Sequence, residues 1–319
     1  MATRTPTYYT GTITGQNGTL ITVLDAILVT GEGWTKTYSG TNKAVYTQAS
    51  GNGFCLRVQD DGPGGGAARE AIVRGAESAS DVDTLIDPFP TVAQVSDANC
   101  VWRKSNSADS TTRNYYCVAD GNSFHLIVNF NGTSDIEIYS YFDTEPFYTG
   151  DGYNTAITTR NSANNSANGY CTNNNYPTLH GATFTNNMFF ARSADGLVKS
   201  DCGNWAGSVT SVGRTGYNHP SYPNTATNKL HMGFLCARSA YSNTSSAGLA
   251  GEMYRGVVPL LLEPLLGNGS GILAEGDTFK ASAYDNTDNS LELRMVSTAP
   301  LSTSRRVILQ KAGTWDPGF

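Results

Sequence analysis

The stretch YYCVADGNSFHLIVNF, residues 115–130, decides how this chain is read. Two apolar runs flank Ala119-Asp120-Gly121-Asn122, and an Asp-Gly step supplies the positive φ that a tight turn between strands needs. In the second run Phe124, Leu126, Val128 and Phe130 recur at every second position, the period of a strand with one buried face. A β-hairpin is predicted, with His125 alternating out of the apolar face as a surface or cross-strand residue.

The same period continues outward. Phe54, Leu56 and Val58 alternate with Cys55, Arg57 and Gln59 and are followed by AREAIVRG, so residues 54–74 read as a second hairpin. Its tip is the Gly-rich QDDGPGGGAARE, residues 59–70. KAVYTQA, MYRGVVPLLLEPLL, GDTFKASAYD, SLELRMVS and RRVILQKAGTW are further strand-like runs parted by Gly, Pro, Asn and Asp. TLITVLDAILV (19–29) fits two periods. Leu20, Val23, Leu24, Ile27 and Leu28 satisfy a helical spacing, while Thr and Val enrichment favours a strand, which is the expectation adopted.

MFFARSADG (188–196), GFLCARSAYS (233–242) and, more weakly, VWRKSNSAD (101–109) echo one another as a reused strand-then-turn unit without a fixed period. From 150 to 187 the composition turns to Asn, Thr, Gly and Ser, with NSANNSANGYCTNNNYPT at its centre. Such a segment buries little apolar area and reads as a long excursion where partner contacts could lie. Helical runs do not alternate with the strands, which argues against a parallel α/β fold. The expectation is an all-β protein, a β-sandwich or jelly-roll-like body with an elaborated, loop-rich second half. It is treated as a single continuous unit over 1–319, with lobes 1–145 and 146–319 as the runner-up.

Composition narrows function. Charged residues are 15% of the chain and the net charge is −6, with no basic cluster longer than Arg305-Arg306 or Arg103-Lys104, so nucleic-acid binding is not expected. The N-terminal MATRTPTYYTGTITG lacks the apolar core of a secretory signal. The longest apolar stretch, Val257 to Leu266, is interrupted by Pro259, Glu263 and Pro264, so neither export nor a membrane partner is expected. Cys55, Cys100, Cys117, Cys171, Cys202 and Cys236 form no C-x-x-C pair and read as mostly buried thiols.

Residue patterns for chemistry are weak. A phosphate loop would need a lysine after its glycines, but Ala67-Ala68-Arg69 follow here. Asp60-Asp61 could offer oxygen ligands to calcium, with Glu70 and Glu77 beyond the turn. DNTDNS (285–290) departs from a helix-loop-helix calcium site at three positions and reads as a polar hairpin tip. His125, His180, His219 and His231 lie in no metal-ligand spacing. Asp60, Asp61, Glu70, Asp81, Asp83 and Asp143 are the carboxylates from which a glycoside-cleaving pair could be drawn, as a depolymerase or peptidoglycan hydrolase would require. No catalytic, cofactor-binding or metal residue is assigned from this set. The 17 tyrosines and 4 tryptophans suit core packing, protein interfaces or stacking on sugars.

GWTKTYSGTNKAVY (33–46), the run 54–84 from FCLRVQDD to SDVDT, DPFPTVAQ (87–94), VWRKSNSADSTTRNYYCVADGNSFHL (101–126) and YTGDGYNTAI (148–157) together resemble a family of virion structural proteins of tailed bacteriophages. RGVVPLLLEP and AEGDTFKA extend the resemblance, and the Asn-rich interval does not align with it. The resemblance implies a particle component of the neck, collar or tail, assembled in the host cytoplasm. It implies a symmetric multi-copy homo-oligomer that contacts other virion proteins, and it brings no catalytic residues. The competing expectation is a receptor-binding or glycan-binding β-sandwich adhesin of the tail or baseplate.

Overall fold

The computed structural model describes residues 4–62, 67–93, 96–97, 100–129, 136–147, 149–160, 187–192, 207–211, 232–240, 252–264, 278–281, 291–296 and 307–313. In chain order the strands are β1 (Thr7–Ile13), β2 (Thr35–Gly40), β3 (Lys43–Thr47), β4 (Cys55–Gln59), β5 (Glu70–Ala79), β6 (Leu85–Phe89), β7 (Val101–Arg103), β8 (Arg113–Ala119), β9 (Ser123–Asn129) and β10 (Ile136–Asp143). They continue as β11 (Glu145–Pro146), β12 (Thr155–Arg160), β13 (Asn187–Ala191), β14 (Gly207–Ser211), β15 (Met232–Ala240), β16 (Glu252–Pro264), β17 (Thr278–Ala281), β18 (Leu291–Val296) and β19 (Val307–Ala312). The protein is all-β, and strand pairing among the described residues is antiparallel.

Among the described residues twelve strands form one sheet, ordered β1-β8-β9-β10-β12-β7-β5-β4-β3-β2, with β13 beside β12 and β6 beside β5. Seven form a second, ordered β14-β15-β16-β19-β18-β17, with β11 beside β16. Both predicted hairpins are present. β8 and β9 pair from Tyr115↔Val128 to Ala119↔Phe124, and β4 and β5 pair from Cys55↔Ala76 to Gln59↔Ile72. Phe130, the Asn-rich centre at 161–178 and DNTDNS lie outside the described residues, as do residues 63–66 at the tip of the second hairpin.

The turn of the first hairpin differs from its prediction. Gly121 does not take a positive φ. Instead the Asp120 carboxylate accepts the backbone N–H groups of Asn122 and Ser123 at 2.9 and 2.8 Å, and side-chain bonding to the chain two and three residues on shapes the bend.

TLITVLDAILV is not a strand. Thr19–Leu24 is an α-helix, α1, that runs on into π-helical turns over Asp25–Gly31. A strand would send Leu20, Leu24 and Leu28 to one face and Val23 and Ile27 to the other, whereas a helix buries all five together. All five are buried in the main core, so burial overrides the weak strand preference of Thr and Val.

The two edge strands of the large sheet both reach this helical segment. From β1 the Tyr9 hydroxyl donates to Glu32, and from β2 Lys36 Nζ lies 2.9 Å from Asp25. The sheet therefore curls around the segment and encloses one core. Trp34 packs edge-on to Phe124 and Tyr141 with ring centroids 6.0 and 5.9 Å apart, while Trp102 stacks on Tyr139. Such aromatic pairs add to what burial alone contributes.

The opposite face of β8–β10 is covered by the second sheet, whose Val257, Val258, Leu260 and Leu261 are buried. β16 bulges there. Phe234 opposes Leu262 and Cys236 opposes Val257, so four residues of β16 face one of β15, and Leu260 takes a φ of 63°. His125 meets this bulge. It is fully buried and lies across from Ser140 in the β9–β10 register, so the cross-strand reading of this residue is correct and the surface reading is not.

Candidate functional site

Four loops converge at one end of the large sheet: Ser50–Asn52 between β3 and β4, Asp120–Asn122 between β8 and β9, Asp143–Pro146 after β10, and Asp151–Asn154 before β12. With Arg4, Thr5 and Glu32 they line a cleft of about 500 Å³. The loops are fixed to one another. The N–H groups of Ala49 and Ser50 donate to the carbonyl of Gly121, Trp34 Nε1 donates to the carbonyl of Asp120 at 2.9 Å, and Gln48 Nε2 donates to the carbonyl of Asn122 at 2.7 Å. Gly51 has a φ of 72°, and a Cβ there would lie 2.1 Å from Asp143 Oδ2, so both backbone and space demand glycine.

Five carboxylates and one guanidinium line this cleft. Arg4 satisfies two of the carboxylates. Its guanidinium donates to Glu145, Asp120, Asn122 and Ser123 and to the carbonyl of Asp143, a set that only a five-donor fork can serve. Asp143 is held by neutral donors. Gln48 Nε2 and the Thr155 hydroxyl reach Oδ1 at 2.8 and 2.6 Å, and Asn52 N–H reaches Oδ2 at 2.9 Å. Burial pushes its carboxyl above the ordinary value despite these bonds. Glu32 is raised as well, by burial, with the Tyr9 hydroxyl opposing. Asn52 bridges onward to Asn154, whose side chain donates to the carbonyl of Thr144.

A second polar cluster lies inside the molecule. Asp60 is fully buried and forms an ion pair with Lys104, which is also buried. Asp60 Oδ2 also accepts Leu20 N–H at 2.8 Å, serving as the cap that Gly18 cannot supply to α1. Asp60 is therefore not part of an exposed hairpin tip. It is an interior anchor between the β4 end, the helix and the segment after β7.

The remaining sequence candidates do not converge. Asp81 accepts the N–H groups of Asp83 and Thr84 in an exposed turn, and Asp83 pairs with Lys43 and Arg57. Glu70 pairs in register with Arg103 on β7, and Glu77 forms an ion pair with Arg192. Cys55, Cys100 and Cys117 are free and buried, and burial pushes the first two up to about 12. His180, His219, His231, Cys171 and Cys202 lie outside the described residues. Among the described residues no three of His, Cys, Asp and Glu are placed to hold a metal ion.

Sequence reasoning singled out Asp143 and missed the rest of the cleft. Arg4 sits 141 residues from Glu145 and 116 from Asp120, so no local spacing marks it. The one local signal was the Asp120-Gly-Asn turn. No protein-family model matches the chain, and no curated protein matches it.

Proposed function

We propose that this chain is a structural component of a tailed-bacteriophage virion, in the neck, collar or tail, that fastens or decorates the particle as a symmetric multi-copy homo-oligomer contacting other virion proteins. The observation that carries this reading is how the cleft spends its charged groups. Arg4 and Asp143 are saturated by neighbours that join the N-terminus, three loops and the start of the second sheet, which is how a rigid scaffold is held. The blocks that resemble phage structural proteins run through β2–β9 and into β12, the part of the large sheet that wraps the core. A sandwich-like body with an elaborated second half belongs to the same proposal. Quantitative mass spectrometry of purified particles should find the protein in a fixed integer ratio to the major tail and neck proteins. Its absence from intact particles overturns the reading.

One observation favours a second reading, a glycan-binding module of the tail or baseplate. The cleft is lined by Asn52, Asn122, Asn154 and Asp151, a polar wall that suits a ligand rich in hydroxyl groups. A glycan array probed with the purified protein tests this directly, and no bound spot at high micromolar protein removes it.

A further inference from the structure

The Asp60 and Lys104 side chains are 44 residues apart in sequence, touch through Oδ1 and Nζ, and are both shut off from solvent. We propose that they form a covalent modification site at which Nζ of Lys104 condenses with Cγ of Asp60 to give an intramolecular isopeptide bond and one water. This inference does not depend on the virion reading.

The hydrogen bonds around the pair match the product. An amide keeps one carboxyl oxygen and one N–H. The oxygen that would be kept, Oδ2, already accepts Leu20 N–H at 2.8 Å, and Nζ already donates to the carbonyl of Gln16 at 2.5 Å. The oxygen that would leave, Oδ1, is the one in contact with Nζ. Both backbones are fixed: Asp60 N–H donates to Asn42 at 2.7 Å, and Lys104 N–H donates to Arg69 at 2.9 Å. The reacting atoms are thus held together without further ordering, which is the entropic advantage of an intramolecular reaction.

The chemistry balances without an oxidant or cofactor. Transfer of a proton from the Lys104 ammonium to Asp60 gives a neutral amine and a neutral acid. Burial favours both forms, raising Asp60 to about 6 and lowering Lys104 against their mutual attraction. Nζ attacks Cγ, the C–N bond forms, and the carbonyl electron pair moves onto Oδ2, where Leu20 N–H holds it. One proton leaves Nζ and Oδ1 departs with it as water when the Cγ–Oδ1 bond breaks. The relay of that proton is assigned to Asp61, whose Oδ1 is buried without a hydrogen-bond partner and whose charge bears on Lys104. Amide formation also removes two interior charges whose desolvation the ion pair must otherwise offset.

Intact-mass spectrometry of the purified full chain tests this. The protein should be lighter than its sequence by one water molecule, and a digest should contain one branched peptide joining the segments around residues 60 and 104. Lys104→Arg, which keeps the charge but not the amine, should have the full mass and only linear peptides. Asp61→Asn should accumulate the unlinked form, and linkage in that variant at the wild-type rate overturns the relay assigned to Asp61. A wild-type protein of full mass, with Asp60 and Lys104 recovered in separate linear peptides, overturns the bond itself. So does a loss of water confined to linear peptides.

Discussion

Nε2 of His125, on β9, lies 2.8 Å from the carbonyl oxygen of Pro259, on β16, and this bond joins the large sheet to the second one. A carbonyl can only accept, so Nε2 carries the proton and Nδ1 accepts from the Ser140 hydroxyl 2.7 Å away. Burial keeps the imidazole neutral, driving it from 6.5 down to about 3. Between those values the unfolded chain binds a proton that the folded chain does not, so this group's contribution is complete above pH 6.5 and falls as the pH drops toward 3. The loss between pH 6.5 and pH 5 is about 1.5 kcal/mol. Buried Asp143 is shifted upward and acts in the opposite sense over the acid range, so the difference between proteins is the quantity to measure. Urea unfolding at pH 7, 6 and 5 should show His125→Gln losing less stability on acidification than the wild type. Parallel pH profiles would contradict this assignment.

Arg4 carries more of the cleft than any other side chain. Arg4→Ala leaves Asp120 and Glu145 buried without their cation, and removing one partner of a buried pair costs about 3–5 kcal/mol. Arg4→Lys should recover only part of that, because an ammonium has three donors and no fork. The check is the midpoint of denaturant unfolding at constant slope, with the order wild type, Lys, Ala.

The strands were legible because period-2 alternation is a local signal. Phe124, Leu126 and Val128, like Leu56 and Val58, alternate on the face their spacing requires. The helix over Thr19–Gly31 is legible too, in the helical spacing of Leu20, Val23, Leu24, Ile27 and Leu28, against which the Thr and Val content argues only weakly. What was not legible depends on long-range contact. Asp60 looks like a turn residue among glycines, and only the fold brings Lys104 and Leu20 N–H to it. Arg4 is 141 residues from Glu145 and 116 from Asp120, so no local pattern marks it as a buried hub. The covering of the His125 face by β16 was equally hidden, since an alternating strand leaves its second face open to solvent or to another sheet.

Asp143→Asn tests whether the carboxylate is needed as an acceptor. Gln48 and Thr155 donate to one oxygen and Asn52 N–H to the other, so an amide must turn its NH₂ toward a donor whichever way it points. The expected cost is about 1–3 kcal/mol, the penalty for an unsatisfied buried group. Hydrogen exchange should show the loosening at the Asn52 amide ahead of the hairpin amides of β8 and β9.

Gly256 tests how the second sheet is seated. It opposes Pro146 where β11 joins β16, and a Cβ there would lie 2.1 Å from the carbonyl oxygen of Glu145 and 2.8 Å from Thr144 Oγ1. The nearer atom is backbone and cannot swing aside, so Gly256→Ala must push β11 off its partner or shift β16, at about 1–3 kcal/mol for forced overpacking. β11 follows directly on Asp143 and Thr144, so the displacement should spread into the cleft loops. Gly152→Ala is the control, because a Cβ there meets nothing within 4 Å and its φ is not in the left-handed range. Thermal unfolding should separate the two variants clearly, with Gly152→Ala at the wild-type midpoint. A Gly256→Ala protein that melts with its control would mean that β11 is free to move and that the second sheet is seated by the His125–Pro259 contact and the buried leucines alone.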